Sequence, residues 1–151
     1  MGASMNIHLR VFARPVDNEP LPGLPGPGKR FVFSNDLALV SINGIPQSSQ
    51  PAATHSGFLT TLRVAATKDN FYPPCSYLIQ YEGTYRFNAV PDTTLQKGQV
   101  TAQGVLYLDR DLNPLEPPTT FAITGGTDAY VTARGQITEP NRDDRELDIQ
   151  L

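Results

Sequence analysis

The stretch FAITGGTDAYVTARGQI, Phe121 to Ile137, sets two apolar runs on either side of the pair Gly125-Gly126 and closes with Arg134-Gly135. It reads either as a phosphate-gripping loop or as a corner between strands. A P-loop needs GxxxxGK[ST], and no Gly-Lys-Ser/Thr follows here. A dinucleotide fingerprint needs GxGxxG opening a helix, but Val131, Thr132 and Ile137 favour extended chain. The reading is therefore a corner. Gly125 and Gly126 are expected to supply positive φ for a tight connection between two strands.

Working outward, the period is two almost everywhere. In SYLIQYEGTYRF, Tyr77, Ile79, Tyr81, Tyr85 and Phe87 share one face, interrupted only by Gly83. Leu78, Gln80, Glu82, Thr84 and Arg86 share the other, so the two faces see different surroundings and Glu82 is expected outside. RFVFSNDLALV puts Phe31, Phe33 and Asn35 together. QVTAQGVLYLDRD groups Val100, Ala102, Gly104, Leu106 and Leu108. MNIHLRVFAR, SGFLTTLRVAA, TTFAITGG, YVTARGQIT and RELDIQL complete eight short strands. SINGIPQSSQPAATH, residues 41–55, reads as a polar loop. Residues 15–28 hold so many prolines and glycines that they read as a long loop, a candidate lid. No apolar pattern at helical spacing runs beyond about two turns. Eight strands without a helix leave a sandwich or a closed barrel. Glycines inside strands, Gly57, Gly83, Gly104 and Gly135, fit the bends of a closed sheet.

Composition agrees. The chain has 151 residues, 39% of them apolar and 18% charged, which suits one packed domain over 1–151. With 14 prolines and 12 glycines it favours many short elements joined by turns. The net charge is −3 and no run of Lys or Arg occurs, which argues against nucleic acid as a partner. The one cysteine, Cys75, permits no intrachain disulfide and fits a reducing, cytoplasmic setting. No apolar run approaches the roughly 20 residues of a membrane span, and no secretory signal is visible. Residues 1–4 read as an added leader before a native Met5.

Several pieces carry a family resemblance. AITGGTDAYVTARGQI resembles the TGGTGxYxxARGxV signature of the allene oxide cyclase and dirigent superfamily, and FVFSNDL is similar to the cyclases' Phe-Ser/Thr-Asn-x-Leu strand. SGFLTTLRV, YEGTYRF and TAQGVLYLDRD follow in the same order, so the likeness covers about residues 29–139. It implies an all-β, eight-stranded antiparallel β-barrel with a central hydrophobic cavity. It also implies that Phe33, Asn35 and Tyr81 line that cavity. Leu59 replaces a cysteine of the cyclases, and their fifth-strand tyrosine falls at Leu106, or at Tyr107 with a one-residue shift. Arg134 matches the family's arginine. The acids do not carry over. The first strand has no carboxylate, Ala13-Arg14 stands where dirigents have His-Asp, and the turn holds Asp128-Ala129.

The candidate chemistry follows. Tyr81, Tyr85 and Asn35 are the expected catalytic hydrogen-bonding groups, with Phe31, Phe33, Leu59, Tyr77, Ile79, Leu106 and Arg134 expected to bind substrate. His8 and Arg10 share one face of the first strand: turned inward they would be acid/base and anion-binding groups, turned outward ordinary surface. Only His8 and His55 exist as histidines, so no metal set forms. DRD at 109–111 and NRDD at 141–144 read as solvated turns. The expected function is a cofactor-independent cyclase or isomerase, fit for natural-product biosynthesis, that folds a flexible hydrophobic substrate. A non-catalytic binding barrel or a dirigent-like guide is the second reading, and a packed structural barrel the third. The resemblance implies a homo-oligomer, a dimer or trimer.

Overall fold

Alternation of apolar and polar side chains becomes, in the computed structural model, a closed antiparallel barrel. The structure describes residues 5–15, 27–48, 51–64, 77–109, 114–115, 119–140 and 143–151. Its strands are β1 (Asn6–Pro15), β2 (Arg30–Ile42), β3 (Ile45–Pro46), β4 (Pro51–Val64), β5 (Tyr77–Phe87), β6 (Gly98–Leu108), β7 (Thr119–Gly126), β8 (Arg134–Glu139) and β9 (Asp144–Gln150). They pair in the order β1-β9-β8-β7-β6-β5-β4-β2, and β1 pairs with β2 to close the ring of eight. The short β3 is an extra strand on β2. Among the described residues no helix is long and apolar enough to cross a membrane.

The period of two sorts the faces. Ile7, Leu9 and Val11 of β1 are buried, so His8 and Arg10 point outward, His8 to Asp148 at 2.5 Å and Arg10 to Glu146 at 3.6 Å. On β5 every alternate residue from Tyr77 to Phe87 is buried and Glu82 is exposed, as the alternation requires.

Two local readings change. Residues 41–55 are not one polar loop. Asn43 (φ 50°) and Gly44 (φ 81°) make a two-residue hairpin between β2 and β3, and β4 begins at Pro51. The histidine at the inward position 55 breaks the apolar pattern of this strand. The Gly125-Gly126 pair is also not the corner. Both lie inside β7, opposite Thr101 and Val100, and only Gly125 has positive φ (154°). The chain turns one step later, through Thr127 and a 3₁₀ turn, Asp128–Tyr130, with Asp128 at φ 57°. Gly126 serves close approach instead: a Cβ there would stand 2.2 Å from the Gln99 carbonyl oxygen.

The two ends of the barrel differ. At one, Tyr130, Phe87, Leu95 and Ala133 are fully buried, and the Tyr130 hydroxyl donates to the Gln96 carbonyl at 2.7 Å. That end is sealed. At the other end, inward residues Phe31, Leu59 and Leu106 stay partly exposed. The candidate lid at 15–28 falls in sequence between β1 and β2, and its residues 16–26 lie outside the described residues.

Candidate functional site

The waist of the barrel is aromatic and polar at once. Antiparallel register sets Asn35 opposite His55 and His55 opposite Tyr85. The His55 and Tyr85 rings stack at 4.0 Å and 11°. Phe33 meets His55 edge-on at 4.8 Å, and Tyr81 lies 4.2 Å from Phe121, on the far side of Gly104 in β6. His55 Nε2 and the Tyr81 hydroxyl are hydrogen-bonded to each other. A glycine makes this possible. Any Cβ on Gly83 would sit 2.2 Å from the Tyr81 hydroxyl and 2.7 Å from His55 Nε2, so the pair occupies space a side chain would need.

Beside this couple lies a buried ion pair. Arg145 Nε donates to Glu139 Oε1 at 2.8 Å, with side chains 9% and 17% exposed. Burial and then the Arg145 charge hold the His55 imidazole well below its ordinary 6.5, so it is neutral. Burial pushes the Tyr81 hydroxyl up, reinforced by Tyr85, and burial does the same to Tyr85, so both phenols stay protonated. Glu139 is raised by burial, against the pull of Arg145. Arg145 is raised because Glu139 and the tyrosines outweigh its own desolvation. Four buried side-chain atoms have no hydrogen-bond partner among the described residues: His55 Nδ1, Thr61 Oγ1, Tyr85 Oη and Arg145 Nη1.

The structure thus brings Tyr81, Tyr85, Asn35 and Phe33 together. Phe31, Leu59 and Leu106 stay partly exposed toward the less sealed end, where Tyr77, Ile79 and Leu108 pack against Leu59 and Leu106. Arg134 is not among them. It is exposed, on the opposite parity from the buried Ile137, and its Nη1 donates to the Ala133 carbonyl at 2.7 Å. Three members of the group escaped the sequence reading: His55, Glu139 and Arg145. His55 lies in residues 41–55, whose sequence reads as loop. The other two flank NRDD, but parity carried a signal, since Arg145 shares a face with Leu147 and Ile149, and Glu139 with Ile137.

Among the described residues no group of three or more His, Cys, Asp or Glu side chains could hold a metal. Two grooves of about 350 and 470 Å³ lie elsewhere, one along β1, β8 and β9, the other on the outer face around Val32, Phe58 and Glu82.

No protein-family profile and no curated protein matches the chain. Solved structures do. A pyocyanin demethylase aligns at TM-score 0.50 with 22% identity, over 97% of this chain and 99% of that one. A pterocarpan synthase dirigent protein aligns at TM-score 0.56 with 16% identity, over 98% of this chain and 86% of that one. The barrel is of the kind a dirigent protein has. At such identities the likeness concerns the fold.

Proposed function

We propose that the barrel admits a small hydrophobic molecule past Phe31, Leu59 and Leu106 and controls its cyclisation or isomerisation at the waist, without a cofactor. The observation that carries this reading is the couple of a neutral His55 and a protonated Tyr81, hydrogen-bonded inside apolar surroundings. Such a couple takes a proton from one position of a bound molecule and returns it at another, so nothing is consumed. Confinement among Phe33, Tyr81 and Phe121 would favour one conformer of a flexible substrate, which lowers the entropic barrier. Natural-product biosynthesis and assembly into a homo-oligomer belong to the same proposal.

The test begins with native mass spectrometry of the protein after exposure to a pool of small hydrophobic metabolites. Pyocyanin, named in one of the similar structures, is a ready first probe. With a converted ligand in hand, Tyr81→Phe is expected to slow turnover by about 10²-fold or more while the fold survives. Unchanged rate and unchanged products in that variant end the reading. A second reading, a dirigent-like guide, draws on the aromatic walls and the absence of an acid on β1. It requires an added oxidant before any product forms, whereas the enzyme converts its ligand alone.

A further inference from the structure

Two of the four unpartnered atoms belong together. Arg145 commits its Nε to Glu139, yet its Nη1 has no partner among the described residues. Tyr85 is fully buried and its hydroxyl has none either. The groups are neighbours: Arg145 and Tyr81 both bear on the Tyr85 hydroxyl at close range, though neither in hydrogen-bonding geometry, and that hydroxyl supports the guanidinium charge in return. Native interiors seldom strand such groups, and a charged donor is the most costly to strand. A guanidinium only donates, and a phenol held protonated has its proton to offer. Both therefore call for an acceptor, and Glu139, the near carboxylate, is already engaged on the far side of the guanidinium.

We infer that Arg145 Nη1 and the Tyr85 hydroxyl form a receptor for one oxygen atom of the molecule in the barrel, so that its ligands are hydrophobic carbonyl or oxyanion compounds rather than hydrocarbons. This rests on the proposal that the barrel binds a small molecule. It also assigns roles to the neighbouring groups. With a carbonyl oxygen on the two donors, the proton α to that carbonyl passes to the Tyr81 oxygen as the Tyr81 proton passes to His55 Nε2. The electron pair left behind moves onto the ligand oxygen, where Arg145 and Tyr85 stabilise it. Return of the proton at a different carbon restores the carbonyl. Nothing is oxidised or reduced.

Three probes of one shape test this: 2-acetylnaphthalene, 2-naphthoate and 2-ethylnaphthalene, titrated calorimetrically into the full chain. At least one of the two oxygen-bearing probes is expected to bind about tenfold or more tightly than the hydrocarbon. The ketone leading identifies a carbonyl ligand, and the carboxylate leading identifies an anion. Tyr85→Phe removes only an unpartnered hydroxyl and should reduce that advantage severalfold. The double variant Glu139→Gln/Arg145→Met, which strands no charge, should abolish it. If the double variant does not fold, Tyr85→Phe decides alone. Equal binding of all three probes, or a preference that survives Tyr85→Phe, overturns the receptor and leaves the binding barrel standing. Failure of all three to bind overturns both.

Discussion

His55 is buried against Phe33 and Tyr85 and hydrogen-bonded to Tyr81. Neutral in the fold and ordinary in the unfolded chain, it makes stability depend on pH with a definite sign. Below 6.5 the unfolded chain takes up a proton that the buried imidazole refuses, so stability falls as pH drops from there toward the depressed native value. Glu139 works in the other sense, because its raised carboxyl adds stability as pH falls through the raised native value toward its ordinary 4.5. The His55 share is therefore read as the difference between the wild type and His55→Gln. Urea midpoints measured from pH 7.5 to 5 should decline more steeply for the wild type, and parallel curves would show that the imidazole titrates normally. The Glu139–Arg145 pair gives a second residue-scale expectation. Removing one partner, as in Arg145→Met, leaves a buried carboxylate alone and should cost about 3–5 kcal/mol of unfolding free energy, much of it restored by adding Glu139→Gln.

At the scale of elements, β4 and β5 place the couple. Gly57 and Gly83 face each other across these strands, but they do different work. A methyl at Gly83 meets the Tyr81 hydroxyl and His55 Nε2, groups that can swing away. Gly83→Ala should therefore fold, lose about 1–3 kcal/mol, and lose the His55–Tyr81 bond. A methyl at Gly57 meets the backbone, the Glu82 carbonyl oxygen at 2.0 Å. It can be relieved only by parting the strands, so Gly57→Ala should cost more than Gly83→Ala in the same urea experiment. The reverse order would mean that the strands yield more readily than the side chains. β5 was legible from the sequence because its pattern is strict and apolar. The first half of β4 was not, because prolines, serines and a histidine hide a period of two that only pairing with β2 and β5 reveals. The corner after β7 was misplaced for a related reason. A glycine reads alike whether it turns the chain or lets another strand come close.

At the scale of the whole molecule, the first and last strands close the barrel on each other. Leu9 of β1 pairs with Leu147 of β9, and both are fully buried. Leu147→Ala, at a site four residues from the end of the chain, should nonetheless cost about 2–5 kcal/mol, as in a central core, when read by denaturant unfolding. A loss below 1 kcal/mol would mean that the seam between β1 and β9 carries little of the stability. The seam holds Arg145 as well, so the polar waist is complete only in the closed barrel. The unequal ends follow from the same closure. Phe87 at the end of β5, with Leu95 and Tyr130 from the connections, seals one end, whereas Phe31, Leu59 and Leu106 stay partly exposed at the other.

Local pattern was enough to specify most of the strands and their inward faces, because side-chain alternation is a property of neighbours along the chain; a closed barrel rather than a sandwich, and the convergence of Phe33, Asn35 and Tyr81, rested on the family resemblance. Neither could specify that His55, Glu139 and Arg145 meet Tyr81 and Tyr85, or that Arg134 turns away. Those contacts join residues from β4, β5, β8 and β9, far apart in sequence. Only register and closure of the sheet bring their polar atoms out of water and next to one another.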